Sequence, residues 1–589
     1  MTSVRIGNCS GFYGDRLSAM REMLDGGELD YLTGDYLAEL TMLILGRDVM
    51  KDASLGYAKT FVKQLSECMA IAKEKGVKIV ANAGGLNTPA LADKLKEIAA
   101  EQGLDVSIAY VEGDDLRARA EELGWQGAMT ANAYLGAFGI AEALNAGADI
   151  VVTGRVTDAS VVIGPAIAHH RWGREDFDAL AGAVVAGHII ECGTQACGGN
   201  FAGFKELVAN GQFDRPLGFP LAEIGADGSF VVTKQEGTGG AVTVDTVTAQ
   251  LVYEIQGEQY LNPDVTTHFS TIHLAQEGAD RVRVFGVKGS PPPATTKVCL
   301  NFFGGFRNDA ELLITGLDQD EKVALLRMQV EQALQAKADR GLELPKLEWT
   351  FNRSDVADPA SQEAGSSILR VHAESMSPEP VGRDFSNIVV ELALASLPGF
   401  TASSSPPQPG RAFGFYKPGY VPQADVPHVV VLADGTRIDI PPPSNTVEKP
   451  EPYSAARPAG PGAGAAGEAT ERRPLGELAY ARSGDKGGDA NIGVWIPADA
   501  PNRDAAVAWL IDLLTPQRIR ELLPETADLG VEVYPLPNLG GLNILVRGIL
   551  GQGVAASARL DPQAKALGEW LRARYVDIPV QFLKGESLS

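Results

Sequence analysis

The chain has 589 residues, 45% hydrophobic and 21% charged, the proportions of a globular protein with room for two to four domains. A chain this long buries full cores without staples, so a disordered, collagen-like or disulfide-stapled protein is excluded. Lysine and arginine total 51 against 75 aspartate and glutamate, a net charge of −24, and the basic footprint that grips nucleic-acid backbones is missing.

The hydrophobic pattern alternates between two periods from the start. Strands are predicted at 4–9, 29–33, 77–81, 106–111 and 149–153, with helices at 16–24, 36–45, 58–75, 89–101 and 140–145. Gly76, Gly103 and Gly147 follow helices as stop signals. Strands alternating with helices indicate an α/β fold with a parallel sheet flanked by helices. A doubly wound open sheet is the first choice, and a barrel closed by eight such units is the second. From about 213 to 440 strands dominate (230–233, 241–251, 281–287 and 297–303), with a helix at 321–337 and a β-rich stretch around 368–372. This α+β portion is expected to pack on the first sheet, making residues 1–450 one large domain whose parallel portion is about 1–212.

A Pro/Gly/Ala-rich tract at 451–474 cannot bury enough surface to offset its ordering entropy and reads as a linker. Residues 475–589 carry 11 Lys/Arg and 14 Asp/Glu, so nearly all the net charge lies upstream and this end is no acidic tail. Its order of strand, strand, helix, helix, strand, strand, helix predicts a C-terminal ferredoxin-like α+β domain. The five cysteines (Cys9, Cys68, Cys192, Cys197, Cys299) are scattered, which suits free thiols in a reducing compartment. The first residues lack the basic and apolar runs of a secretory signal, and no apolar run approaches the roughly 20 residues that span a bilayer. A cytoplasmic location is expected, with neither membrane nor nucleic acid as partner.

Ligands of open α/β sheets bind beyond the carboxyl ends of the strands. The residues that follow the predicted strands are therefore the candidates: Asn8-Cys9-Ser10-Gly11, Asp35 with Glu39 one turn later, Asn82 to Asn87, and Gly154-Arg155-Val156-Thr157-Asp158. Their recurrence points to one composite polar pocket. Asp35 and Asp158 also sit where helix N-caps belong, and capping alone accounts for either. Arg155 suits a clamp for a carboxylate or phosphate, with an ion pair to Asp158 as the alternative. None of these loops carries the dinucleotide or Walker fingerprint, so NAD or ATP chemistry is not supported.

The densest reactive cluster is His188-Ile189-Ile190-Glu191-Cys192. On a helix His188 and Cys192 share a face, offering an activated thiolate, while His188 with Glu191 offers an acid–base pair. A buried helix end with Cys192 as core filler is the alternative. The loop 481–491 is too polar and glycine-rich to be only a tight hairpin, and its backbone with Lys486 suits an anion nest, with a mobile hairpin holding a local ion pair as the equal alternative. The substrate-binding candidates are thus Arg155, Asn82, Asn87, Asp35 and Lys486, and the catalytic ones Asp158, Glu191, Cys192 and His188. No cofactor is predicted; Asp35, Glu39 or Asp158 offer a Mg²⁺ or Ca²⁺ site as a further option.

Three segments together, Val80-Ala81-Asn82-Ala83-Gly84-Gly85-Leu86-Asn87, Ala148-Asp149-Ile150-Val151-Val152-Thr153-Gly154-Arg155-Val156-Thr157-Asp158 and Gly187-His188-Ile189-Ile190-Glu191-Cys192, resemble the acyclic terpene utilisation (AtuA) family. Ser483-Gly484-Asp485-Lys486-Gly487-Gly488-Asp489-Ala490-Asn491 resembles the ferredoxin-like domain often fused at that family's C-terminus. The resemblance implies a place in the breakdown of citronellol and geraniol, where acyl-CoA thioesters are dehydrogenated, carboxylated and hydrated. The expectation is a hydratase or lyase without a redox cofactor, acting on a branched acyl-CoA or carboxylate as a homo-oligomer. The alternative is a non-catalytic acyl-CoA-binding subunit or carboxylase scaffold.

Overall fold

The structure, a computed structural model, describes residues 3–403, 409–451 and 469–583. The expected linker lies largely outside these residues, but its last five, Thr470–Pro474, form a strand paired with Tyr575–Pro579. By internal contact the chain divides into two compact units. One comprises 1–301, 416–554 and 561–589; the other comprises 302–415 and 555–560.

The larger unit is organised by an eleven-stranded open sheet. Its centre is parallel, in the order Val4–Asn8, Tyr31–Gly34, Lys78–Ala81, Ile150–Thr153, Ile108–Glu112. Along these strands consecutive residues face opposite cores. Val80 and Val151 join the helices Phe138–Asn145, Ser160–His170 and Phe177–Ile190. Ile79, Ala81, Ile150 and Val152 join Ala19–Asp25, Lys59–Lys75 and Thr88–Glu101 on the other side. Strands buried on both faces need apolar side chains at every position, which is why 150–153 reads Ile-Val-Val-Thr. Antiparallel strands extend both margins, through Pro220–Ile224, Phe230–Lys234, Arg281–Phe285 and His273–Gly278 on one side and Val429–Val431 and Arg437–Asp439 on the other. The sheet is therefore mixed and open, not a closed barrel.

Two local readings are corrected. The predicted strand at 241–251 is the helix Val244–Leu251. Its β-branched composition favours extended backbone, but Thr243 and Thr246 close a capping box and every residue from Thr246 to Leu251 is buried. The loop 481–491 is a hairpin after all: Tyr480–Lys486 pairs with Asp489–Trp495 around a two-residue Gly487-Gly488 turn, with Gly487 at φ +65°.

That hairpin belongs to a four-stranded antiparallel sheet, completed by Gly541–Val546 and Val531–Leu536 and covered by Arg503–Leu513, Pro516–Leu522 and Leu567–Arg572. It has its own core around Ile492, Leu510, Ile544 and Leu571. Its sheet is docked on the α/β body by Asn491, which is fully buried. The Asn491 side-chain amide donates to Val252 O at 2.7 Å and its carbonyl accepts Glu254 N at 2.8 Å. Gly493 makes the approach possible, since a Cβ there would meet Val252 at 2.2 Å.

The smaller unit folds around the antiparallel strands Lys346–Asn352, Ser366–Ser375 and the 302–315 part of Thr295–Thr315, packed by Gln319–Ala338 and Arg383–Glu391. Among the described residues no helix is long and apolar enough to cross a membrane.

Removing the Asn491 amide strands a buried carbonyl and a buried N–H, each costing about 1–3 kcal/mol. Asn491→Ala is expected to lower unfolding free energy by roughly 2–4 kcal/mol in a denaturant titration; an unchanged midpoint would show the clamp to be dispensable.

Candidate functional site

The carboxyl ends of the parallel strands deliver Asp35, Asn82, Asp114 and Arg155 to one place. Asn82 donates to Asp35 Oδ1 at 2.6 Å and accepts Tyr36 N at 2.7 Å. Arg155 is 1% exposed. Its Nη1 donates to Asp158 Oδ1 at 2.5 Å and to Leu37 O at 2.6 Å, and its guanidinium lies 4.2 Å from the centroid of the Tyr134 ring. The backbone N–H of Arg155 is held by Asp114 Oδ2 at 2.8 Å, which also accepts Asn132 Nδ2 at 2.8 Å. The ion pair with Asp158 is thus the arrangement adopted, and Arg155 is a buried organiser rather than an exposed clamp. Neither Asp35 nor Asp158 caps a helix: the N-caps are Ala38 and Ala159, without side-chain bonds.

The second cluster reaches this pair through close packing. A Cβ on Gly187 would lie 2.7 Å from Ala159 Cβ, so glycine lets the helix Phe177–Ile190 press against the turn that follows Asp158. Asn8 anchors the end of that helix, its amide donating to Ile190 O at 2.8 Å and Glu191 O at 3.0 Å. His188 Nδ1 then meets Glu191 Oε1 at 3.1 Å. The helix stops at Ile190, and Cys192 follows just beyond its C-cap Glu191. Burial, with Glu191, Glu254 and Asp35 nearby, pushes the Cys192 thiol well above its ordinary value. That setting opposes a nucleophilic thiolate.

Electrostatics set these carboxyls apart. Burial and the neighbouring Asp158 raise both Asp35 and Glu191 well above the usual range, against the opposing pull of Arg155. Burial lowers His188 to about 4, helped by Lys486, so the imidazole is neutral at pH 7. Glu191 Oε2 is buried with no hydrogen-bond partner among the described residues.

A further group was not legible beforehand. Glu39 accepts Tyr134 Oη at 2.8 Å and pairs with Lys297 at 3.0 Å. Lys297, Arg155 and Lys486 together outweigh burial and hold the Glu39 carboxyl well below its usual range. Tyr416 lies beside Lys297, 5.3 Å from ring centroid to ammonium, and its buried hydroxyl has no hydrogen-bond partner among the described residues. From the C-terminal region come Asp485 and Lys486 of the hairpin and Lys565 of the turn before the helix Leu567–Arg572, and from the α/β body Tyr253 and Glu254. Lys565 pairs with Glu254 at 3.0 Å and lies 3.8 Å from Asp485. Burial raises Glu254 to about 7 and Asp485 to about 8. Of the sequence candidates, only Asn87 is spent elsewhere, its amide donating to Ala53 O and Leu55 O.

Among the described residues no group of three or more His, Cys, Asp or Glu side chains is placed to hold a metal ion. Asp35, Glu39 and Asp158 each accept a hydrogen bond from the protein, from Asn82, Tyr134 and Arg155 respectively.

Residues 4–432 match the profile of the acyclic terpene utilisation family protein AtuA. The chain belongs to that family. Residues 473–577 match the AtuA ferredoxin-like domain, so the two halves of the polar cluster fall in two matched regions. No curated protein and no solved structure matches the chain.

Two outcomes follow for the AtuA-family site. Removing a buried guanidinium leaves Asp158 and Leu37 O without their donor, so Arg155→Ala is expected to cost about 3 kcal/mol or more of stability, read as a lowered thermal midpoint. Asp114 has its carboxyl raised by burial from 3.8 to about 7. The stability it contributes is present below its unfolded value and lost as pH rises through the folded one. Asp114→Asn should therefore flatten the decline in thermal midpoint between about pH 4 and 7; an unaltered slope would place the titration elsewhere.

Proposed function

We propose that this AtuA-family chain is a hydratase or lyase acting on an α,β-unsaturated acyl-CoA, or a related carboxylate, of branched or acyclic-terpene origin. The observation that carries this reading is Glu191: a carboxyl with a buried Oε2 that has no partner among the described residues, pushed by burial and by Asp158 toward its protonated form. Hydration asks for such unlike carboxyl groups, one to take a proton and one to give it.

In the forward direction Asp158, oriented by Arg155, accepts a proton from water. The water oxygen bonds to the β-carbon and the π electrons move onto the thioester oxygen. Glu191 then returns a proton from Oε2 to the α-carbon as the carbonyl re-forms. With its proton on Nδ1, neutral His188 donates to Oε1 and leaves Oε2 to carry the acid proton. No electrons are gained or lost overall, so the reaction calls for no redox cofactor. Dehydration is the same path reversed.

The test is incubation of the full chain with a panel of straight and branched enoyl-CoA thioesters, followed by mass spectrometry for the gain of one water. Glu191→Gln, which keeps the shape but not the acid, is expected to lower kcat about a hundredfold or more. Micromolar binding without turnover across the panel would overturn the hydratase reading in favour of a non-catalytic acyl-CoA-binding subunit.

A further inference from the structure

The hairpin 480–495 accounts for almost every residue of its sequence by packing. Ser483 Oγ donates to Ala564 O at 2.6 Å and accepts Gly568 N at 2.8 Å. Gly484 lies so close to the α/β body that a Cβ would meet the Tyr253 ring at 2.5 Å and Glu254 Cγ at 2.9 Å. Asp485 lies near Lys565, and Gly487 takes the positive φ of the turn. A Cβ on Gly488 would strike Gly551 O at 2.3 Å. Asp489 pairs with Arg547 at 2.9 Å, and Asn491 is the docking clamp.

Lys486 is the exception. It is partly buried, yet among the described residues its ammonium forms no hydrogen bond and no ion pair. It lies 6.0 Å from the centroid of the Tyr260 ring, which in turn is 5.2 Å from the His188 ring, next to Glu191. The nearby carboxylates are claimed by other cations: Glu254 by Lys565, Glu39 by Lys297 and Asp158 by Arg155. The segment that receives the hairpin is itself strained, with Glu254 at φ +55°. Strain and close glycine contacts thus converge on placing one unpaired cation at the mouth of the acid–base pair.

We infer that Lys486, carried by the C-terminal domain, is a catalytic residue of the site on the α/β body, its ammonium receiving the negative charge that develops on the acyl oxygen. This rests on the hydratase reading and assigns the group that reading still requires. The oxygen that takes up the π electrons needs a fixed positive partner, and such a partner acts most strongly where water is excluded. It also gives the ferredoxin-like domain a chemical role in place of an accessory one.

The experiment uses two probes on the full chain. The first is turnover of whichever enoyl-CoA the panel identifies. The second is acetoacetyl-CoA, whose enolate absorbs in the near ultraviolet and accumulates only where a cation holds it. Lys486→Met is expected to lower kcat about a hundredfold with KM changed only a few-fold, and to abolish the enolate band. Lys486→Arg should restore the band, and Glu191→Gln should keep it. The thermal midpoint of Lys486→Met should stay close to that of the parent, because no hydrogen bond or ion pair is lost. A band that is absent from the parent or survives in Lys486→Met overturns the inference, as does undiminished turnover in that variant. A lowered midpoint in both Lys486→Met and Lys486→Gln makes the residue structural and overturns it too. An enolate band lost only on removing Lys486, without hydration of any thioester, refutes the hydratase reading while upholding the cation.

Discussion

The site depends on one charge kept out of water. A guanidinium with 1% of its surface exposed is tolerated only where opposite charge and acceptors are packed against it, even though its Nε finds no partner among the described residues. Arg155 is matched by Asp158, by a backbone carbonyl and by the face of Tyr134, while Asp114 fixes its own peptide. Everything close to it inherits a consequence. Glu39 is held charged, whereas Asp35 and Glu191, facing Asp158 as well, are pushed toward their neutral forms. Burial, Asp158 and the cations Lys297, Arg155 and Lys486 together push chemically similar carboxyls in opposite directions, which is the condition for acid and base to coexist at one pH.

Much of this was written locally in the sequence. The parallel strands are apolar runs ended by glycines and polar loops, and the rule that ligands bind at strand ends picks out Asp35, Asn82 and Arg155 without knowledge of the fold. His188 and Glu191 stand three residues apart on a helix, so their pairing is also a local matter. The helix at 244–251 was hidden because β-branched residues weigh toward strands, and the capping box that decides the matter involves only Thr243 and Thr246. The hairpin around Gly487 looked too polar for regular structure because its polar residues serve contacts with segments far away in sequence.

The pairing of Glu39 with Lys297 could not be read in this way at all. The two are 258 positions apart, on a helix and on a long strand of different parentage. Glu39 stands out only by its place after a predicted strand, and Lys297 alone looks like an ordinary surface charge. The same holds for Glu254 and Lys565, 311 positions apart in loops of the two matched regions. What made them a site is topology, which sets which strand ends and which hairpin share a neighbourhood.

The Glu254–Lys565–Asp485 contact has a consequence for how the molecule exchanges protons with its surroundings. Burial raises both carboxyls toward neutrality, Glu254 to about 7 and Asp485 to about 8, so both change protonation close to neutral pH. Such groups act as a small proton store at the junction of the two matched regions. An anionic ligand settling beside them raises their proton affinity further, and the complex then draws protons from the buffer as it forms. The heat of binding would consequently vary with the ionisation enthalpy of the buffer, so that association and proton uptake are two faces of one event.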